Sequence, residues 1–303
     1  MSNFNTTLKA YLQLLRPANI ITSIADVVAG IIIAHTWSTG KFSQDPLTID
    51  SFFLVLSTIG LYGGGIVLND VFDAKLDAVE RPERPIPSGR AKKQSAALFG
   101  TLLLIFGVLT AWQVSLSSAI IALAVAILAV LYDAWGKHQE AFGPINMGFC
   151  RGGNLLLGIS IINTAIAPCL SLAIVPVVFI TAVTMVSRGE VNGGNRPAII
   201  AGGILYAIVV LFILGARYAF PIYMPIFSMP FALIFALLVY RPLIKAYRTL
   251  KPADVGKAIK FGVLSLIVMD AGLTAGFAGP EYGLGVLLLL PLSMLVAKLF
   301  AVT

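Results

Sequence analysis

The sequence predicts an all-α membrane protein, a single polytopic helical bundle that occupies residues 1–303. Of these residues 58% are hydrophobic and 12% are charged, whereas an average soluble domain has about 25% charged residues. Apolar runs of about twenty residues recur along the whole chain, and each is long enough to cross the hydrocarbon layer as a helix. This pattern excludes an ordinary soluble domain and predicts about nine transmembrane helices.

The individual helices follow from the apolar runs, taken in chain order. The candidate spans are 17–37, 51–68, 95–112, 117–133, 145–166, 168–186, 197–216, 219–240, 258–278 and 281–302. Short turns join neighbouring runs into helix hairpins, as VSLSS does at 114–118. The last run either crosses the membrane as a tenth helix or lies partly on the outer surface, which leaves nine.

Basic side chains are concentrated on alternate loops. One set of loops contains Lys9, Arg16, the segment 75–93, Lys137, Arg188, Arg196 and the segment 241–260. The opposite loops contain only Lys41 and Arg217. This asymmetry places the N-terminus and the charged loops in the cytoplasm. The net charge of +7 is therefore explained by orientation and by contact with anionic membrane lipid, and no nucleic-acid partner is expected.

An acidic motif follows the second apolar run. The stretch NDVFDAKLDAVERPERPIPSGR, residues 69–90, holds five of the 14 acidic residues. Asn69, Asp73 and Asp77 are spaced i, i+4, i+8, so a helix places them on one face, and Asp70 joins Asp77 at i, i+7. Clustered carboxylates repel unless they are neutralised, and Mg²⁺ needs only one or two of them when a substrate phosphate adds ligands. These four residues are the predicted metal ligands.

The alternative for this motif is a solvated helix end, whose carboxylates pair with three nearby cations, Lys75, Arg81 and Arg84. An ionisable cluster at membrane depth more often marks a functional site.

A polar stripe also runs along the first helix. Arg16, Asn19, Ser23 and Asp26 recur at i, i+3, i+7 and i+10 on an otherwise apolar segment. Such a stripe faces either a cavity or a neighbouring helix to which it hydrogen-bonds.

The acidic motif resembles one from a known family. The pattern N-D-x-x-D-x-x-x-D followed by E-R-P-E-R-P-I-P-S-G is similar to the first aspartate-rich motif of the UbiA-type membrane prenyltransferases. The opening LLRPANIITSIADVVAG is similar to that family's first helix, and helix count and loop placement extend the resemblance over nearly the whole chain. The strings LYDAWGKH and NMGFCRGGNLLLG resemble a narrower branch, the UbiA-like EboC proteins of a bacterial gene cluster implicated in small-molecule export.

The resemblance implies a fold and a reaction. The fold is about nine transmembrane helices in two four-helix groups, in the bacterial inner membrane, with two acidic motifs facing one another near the cytoplasmic side. Between the motifs Mg²⁺ would hold an isoprenyl diphosphate, whose first carbon is attacked by a lipophilic, typically aromatic acceptor. Asp73 and Asp77 would be catalytic metal ligands. The first helix would form the acceptor pocket with Arg16, Asn19 and Ser23, and Asp26 would orient or deprotonate the acceptor.

The resemblance also assigns the cations and one aromatic residue. Tyr132 and Lys137, in LYDAWGKH, match the family's Tyr…Lys feature; Tyr132 would flank the reacting carbon. Arg84, Lys137 and Arg151 are expected to contact the diphosphate. Arg151 lies inside an apolar run and needs an anionic partner, which the diphosphate or Asp133 would supply. The alternative for Tyr132 and Lys137 is an interfacial tyrosine with a snorkelling lysine.

The second acidic motif departs from the family pattern D-x-x-x-D. This chain has SRGEVNGGNR at 187–196, where Glu190 can serve as a metal ligand but Gly194 occupies the second aspartate position. Arg188 and Arg196 add phosphate-binding cations. Either the site binds diphosphate with less Mg²⁺ and more arginine, or the protein is a non-catalytic prenyl-lipid binding or export component. A basic inner loop with turn-forming residues is the remaining alternative.

Overall fold

The structure, a computed structural model, describes residues 2–40, 48–188 and 195–299. The described residues are 86% helical, and these three ranges contain no β-strand, which confirms the predicted all-α class. The α-helices are α1 (Ser2–Leu15), α2 (Pro17–Thr39), α3 (Ile49–Phe72), α4 (Ala74–Glu80), α5 (Lys93–Trp112), α6 (Leu116–Ala134), α7 (Phe142–Ile159), α8 (Asn163–Cys169), α9 (Ile174–Ser187), α10 (Arg196–Gly215), α11 (Pro225–Thr249), α12 (Pro252–Ala278), α13 (Pro280–Leu287) and α14 (Leu289–Leu299).

The number of membrane-spanning helices agrees with the prediction. Within the described ranges, nine helical stretches are long and apolar enough to cross a membrane. They include Pro280–Lys298, the last run, although this stretch is broken at Leu288 into α13 and α14. They do not include α7, because Asn146, Arg151 and Asn154 reduce its apolar character. All three of these side chains are buried in the bundle, so α7 hides its polar groups from lipid.

The ends of the bundle are defined by contacts between distant segments. At one end, Trp37 packs edge-on against Phe220 with ring centroids 5.9 Å apart, and the Met224 N–H donates to the Gly276 carbonyl. At the other end, the Ser293 hydroxyl donates to the Ala18 carbonyl at 2.9 Å. Because α12 finishes just beyond Gly276, the broken pair α13–α14 runs from one end of the bundle to the other.

Two hydrophobic cores lie on opposite sides of α2. Val27 and Ile31 pack into a core with residues of α3, α5 and α6. Ala25 and Ala29 pack into a larger core with residues of α7 and α9–α12. Both cores include residues of α2 and α7, and α12 packs against α2, α9 and α11. We refer to α2–α7 as the first half and to α9–α12 as the second half.

Close packing of α2 on α7 sets the position of their polar residues. A Cβ on Gly158 would collide with the backbone of Val27, and one on Gly30 would collide with the Leu155 carbonyl. Small residues of this kind let helix backbones approach closely in membranes. The contact brings the polar residues one and two turns away, Asp26 on α2 and Arg151 on α7, to face each other.

Candidate functional site

The candidate site is a cavity of about 230 Å³ in the first half of the bundle. Its walls come from the start of α2 and from α3, α6 and α7. The lining residues are Arg16, Asn19, Leu61, Tyr62, Gly65, Ile66, Asn69, Val125, Ala129, Tyr132, Asp133, Met147, Cys150, Arg151 and Asn154. The cavity thus has a polar mouth at the end where α3 finishes and a mostly apolar interior.

The acidic motif lies at this mouth, across the junction between α3 and α4. Asp73 caps the end of α3 and precedes α4. The helical path continues through the junction, because the Asp73 N–H donates to the Asn69 carbonyl at 2.9 Å and the Asp77 N–H donates to the Asp73 carbonyl at 2.8 Å. The predicted one-sided arrangement of Asn69, Asp73 and Asp77 is therefore confirmed geometrically.

Three cations neutralise the carboxylates of the motif. Arg84 Nη1 donates to Asp77 Oδ2 at 2.7 Å and lies 3.4 Å from Asp70 Oδ1. The remaining pairs are Arg16 Nη2 with Asp70 Oδ1 at 2.5 Å and Lys137 Nζ with Asp73 Oδ1 at 2.5 Å. Arg84 is buried and thus holds the motif together, while Arg16 and Lys137 attach it to α2 and to the segment after α6.

A further carboxylate comes from α6. Asn69 Nδ2 donates to Asp133 Oδ1 at 2.7 Å, and both residues line the cavity. Asp73 lies close enough to act electrostatically on Asp133 and on Tyr132. Asp133, which the sequence analysis considered as a partner of Arg151, therefore belongs to the site.

The residues at the mouth fit a magnesium ion. In Asp70, Asp73, Asp77 and Asp133, the hydrogen bonds among described residues occupy one carboxylate oxygen and leave the other unused. Carboxylate and amide oxygens are the hard ligands that Mg²⁺ prefers. In the described ranges no three His, Cys, Asp or Glu side chains are grouped tightly enough to hold a metal alone. A metal here would need phosphate or water oxygens to complete its coordination.

Arg16 reaches the mouth through an unusual backbone conformation. Its φ of 45° and ψ of 65° lie in the left-handed region, which costs about 1 kcal/mol or more for a non-glycine residue. A residue before proline prefers an extended conformation, and Pro17 follows. The turn directs the Arg16 side chain to Asp70. The strained backbone conformation thus places a cation beside the cavity.

Arg151 lies at the deep end of the cavity, where it donates hydrogen bonds to two side chains of α2. Arg151 Nη1 donates to Asp26 Oδ2 and Nη2 donates to Thr22 Oγ1, both at 2.7 Å. The guanidinium carbon lies 4.6 Å from the centroid of the Tyr62 ring. Within the chain the anionic partner of Arg151 is Asp26 and not Asp133, because the α2–α7 contact places Asp26 opposite Arg151. A contact of Arg151 with a diphosphate stays a prediction.

The predicted stripe on the first helix divides between two environments. Arg16 and Asn19 line the cavity. Ser23 and Asp26 are fully buried and lie behind Asn154, whose Nδ2 donates to the Ser23 carbonyl at 2.8 Å and to Asp26 Oδ2 at 2.9 Å. Both alternatives for the stripe are thus realised, a cavity wall near the mouth and interhelical hydrogen bonds deeper in the bundle.

The cations of the second motif bond outside the cavity, although Arg188 lies close enough to act electrostatically on Tyr132, which lines it. Arg188 Nη2 donates to the Gln139 carbonyl at 2.6 Å, and the Arg196 guanidinium stacks on Tyr247 at 5.6 Å. Neither residue lines the cavity. Glu190 and Gly194 lie outside the described residues. The roles of Arg188, Glu190 and Arg196 at the site stay predictions.

Several lining residues were missed by the sequence analysis, among them Tyr62, Ile66 and Met147. They repeat with helical spacing from a polar anchor: positions 62, 65, 66 and 69 on α3, and 147, 150, 151 and 154 on α7. Counting back three, four and seven residues from Asn69 and from Asn154 would have found them.

Comparison with known proteins identifies the family of this chain. The UbiA prenyltransferase family matches residues 27–269. A digeranylgeranylglyceryl phosphate synthase from Methanosarcina mazei is 31% identical over 189 residues, which are 61% of this chain and 64% of that relative. The match thus spans less than two thirds of the relative's length.

Solved structures share the fold. A structure of digeranylgeranylglyceryl phosphate synthase has a TM-score of 0.67 at 22% identity and covers 90% of this chain and 99% of that one. A UbiA homologue from Archaeoglobus fulgidus bound to GPP and Mg²⁺ has a TM-score of 0.62 at 15% identity and covers 91% and 99%. Because the family match extends over most of the 303 residues, the protein belongs to the UbiA prenyltransferase family.

Proposed function

We propose that this protein is a Mg²⁺-dependent prenyltransferase that transfers an isoprenyl group from a prenyl diphosphate to a lipophilic acceptor. One observation carries the proposal: carboxylates with unused oxygens lie beside Lys137 at the mouth of a cavity whose interior is mostly apolar. The homologue bound to GPP and Mg²⁺ supports the same pairing of ligand and metal. The mouth suits a diphosphate, and the interior suits a hydrocarbon chain.

The chemistry requires stabilisation of a leaving group. Cleavage of the allylic C–O bond leaves negative charge on the diphosphate, and bound Mg²⁺ would neutralise part of that charge. Asn69, Asp70, Asp73 and Asp77 would hold the metal through their unused oxygens. Lys137 would exchange its contact with Asp73 for the diphosphate, because the ammonium group is flexible and donates three hydrogen bonds.

The cavity interior would exclude water from the reacting carbon. Leu61, Ile66, Val125 and Ala129 line it with hydrocarbon, and a prenyl carbocation is quenched if water enters. Tyr132 lies between the polar mouth and this interior, where its ring face would favour cationic character in the substrate.

A direct assay tests the proposal. Purified protein in lipid nanodiscs is incubated with Mg²⁺ and labelled isoprenyl diphosphates of several lengths, together with aromatic acceptors or prenylglyceryl phosphates. We expect acceptor-dependent release of diphosphate and a prenylated product. No release from any combination, with saturable binding retained, contradicts the enzyme reading.

A second function is favoured by the degenerate second motif. Gly194 stands where the family has an aspartate, and the described carboxylates around the cavity all come from the first half. A protein with this site could bind prenyl lipids without ionising them, as part of an export system. Binding without release in the assay above is the outcome that supports it.

We also propose that the acidic motif faces the cytoplasm of a bacterial cell, because the basic loops lie on the same side as the motif. Ser88→Cys, beside the motif, and Gln113→Cys, between α5 and α6, test the orientation with a membrane-impermeant thiol reagent in intact cells. We expect labelling of Gln113→Cys only. If Ser88→Cys alone is labelled, the orientation in the membrane is the opposite of the one proposed.

A further inference from the structure

A buried acidic residue of the second half has no use in the proposed reaction. Asp270, on α12, is fully buried, and neither of its carboxyl oxygens accepts a hydrogen bond from a described residue. One oxygen of Asp26, Oδ1, is in the same state. Buried polar atoms without partners are rare and each needs an explanation. The two groups are neighbours: α12 packs against α2, and the Asp26 carboxyl lies close enough to act electrostatically on the Asp270 carboxyl.

The charges of this cluster do not balance if both acids are ionised. The charged groups acting on Asp270 in the described chain are Asp26 on α2 and Arg151 on α7. Two carboxylates against one guanidinium leave one negative charge in a membrane interior, where an isolated charge is costly. One additional positive charge is needed, and a proton between the two carboxyls supplies it.

The hydrogen bonds show which acid carries the proton. Asp26 Oδ2 already accepts from Arg151 Nη1 at 2.7 Å and from Asn154 Nδ2 at 2.9 Å, as expected of an ionised carboxylate. Asp270 has no donor. We propose that Asp270 is protonated in the folded protein and donates its proton to Asp26 Oδ1, which makes the pair a proton-binding site in the middle of the bundle.

This proton gives Asp270 a positioning role. With Asp270 neutral, Asp26 pairs with Arg151 alone and holds its guanidinium against the Tyr62 ring in the cavity wall. The deep end of the cavity then carries no net charge, which suits a hydrocarbon chain rather than a second anion. This consequence for the substrate rests on the proposed function, whereas the protonation of Asp270 does not.

Infrared difference spectroscopy in H₂O and D₂O tests the proton directly. We expect the wild-type protein to show a protonated-carboxyl band that shifts in D₂O and is lost in Asp270→Asn. The band should also be lost in Asp26→Asn, because Asp270 then ionises to pair with Arg151. Ser265→Ala, another fully buried polar position of α12, is the matched control and should keep the band. A wild-type spectrum that Asp270→Asn leaves unchanged overturns the proposal.

Ligand binding tests the positioning role. The amide introduced by Asp270→Asn can donate to Asp26 as the neutral acid does, so this variant should bind isoprenyl diphosphates within about two-fold of wild type. Asp270→Leu removes the donor. The affinity for a long-chain isoprenyl diphosphate should fall by about 10-fold, while the affinity for a short-chain one should change little. Equal loss for both lengths, or no rescue by asparagine, contradicts the positioning role. If the wild-type protein binds neither ligand, the proposed function fails, and the infrared band still decides the proton site.

Discussion

The two halves of the bundle differ in how they use the space between their helices. In the first half, α2, α3, α6 and α7 leave a cavity with a charged mouth. In the second half the helices meet around fully packed rings: Phe179 lies 5.5 Å from Tyr206 and 5.4 Å from Phe235 between ring centroids. All three of these rings are buried.

The difference indicates that the first half binds the ligand, whereas the second half supports the fold. The carboxylates at the mouth belong to α3, α4 and α6, all in the first half, whereas the described cations of the second motif, Arg188 and Arg196, bond to neighbouring segments outside the cavity. The comparison is therefore between one acidic motif beside a cavity and a cluster of packed rings, and Glu190 of the second motif lies outside the described residues. Four experiments test this division, from the largest expected effect on ligand binding to the smallest.

Asp73→Asn should have the largest effect. It removes a carboxylate with an unused oxygen, so Mg²⁺-dependent binding and turnover of an isoprenyl diphosphate should fall by about 100-fold or more. Calorimetry with and without EDTA measures the loss. Glu80→Gln, exposed at the end of α4, the short helix that follows Asp73, is the control and should behave as wild type. If binding to Asp73→Asn depends on the metal as it does in wild type, the acidic motif is not part of the site.

Lys137→Gln and Arg188→Gln compare the cations of the two halves. Lys137 pairs with Asp73 at the mouth, so its loss should weaken diphosphate binding by about 10- to 100-fold, the value of a charge-assisted hydrogen bond. Arg188→Gln should change affinity by less than about 3-fold. If the arginine variant loses as much as the lysine variant, the second half contributes to the site and the comparison fails.

Gly65→Val should narrow the cavity without touching its charges. A Cβ at Gly65 would lie 3.4 Å from the Ala129 Cβ across the cavity wall. We expect affinity for long-chain isoprenyl diphosphates to fall by about 10-fold, and affinity for a five-carbon one to stay near wild type. Gly285→Val, where a Cβ meets no atom within 4 Å, controls for the backbone effect. Equal affinity across chain lengths would place the prenyl chain elsewhere.

Phe235→Ala should affect stability and leave binding nearly unchanged. Loss of this buried ring costs about 3 kcal/mol of the free energy of unfolding, which thermal denaturation in detergent measures. Diphosphate affinity below the unfolding temperature should stay within about two-fold of wild type, because no ring of this cluster lines the cavity. A large loss of affinity in the folded variant would show that the second half shapes the site.

Much of the fold follows from the apolar runs and their flanking charges. The helical spacing of Asn69, Asp73 and Asp77 also predicted a shared face, since it depends only on local geometry. The last run proved apolar enough to cross a membrane, whereas α7 is not among the nine such stretches of the described ranges. The resemblance to the narrower EboC branch stays a prediction.

The partners of the buried charges could not be predicted, because they depend on which helices meet and at what height. Periodicity placed Asp26 on a polar face but did not show that Arg151 lies opposite. Arg84 was expected to bind diphosphate, and the structure places it between Asp77 and Asp70. Asp270 received no role, since its neighbour Asp26 is on a helix far away in sequence.

The left-handed backbone of Arg16 has a consequence for laboratory evolution. Glycine adopts this conformation without strain, so Arg16→Gly would relieve the turn before α2. The same change would free Asp70 from its arginine partner and remove a cation from the mouth of the cavity. Relief of the backbone strain is thus opposed by the loss of a cation beside the buried Asp70 carboxylate, so the strained conformation and the ion pair are retained together. A screen for stabilised variants should keep this codon fixed.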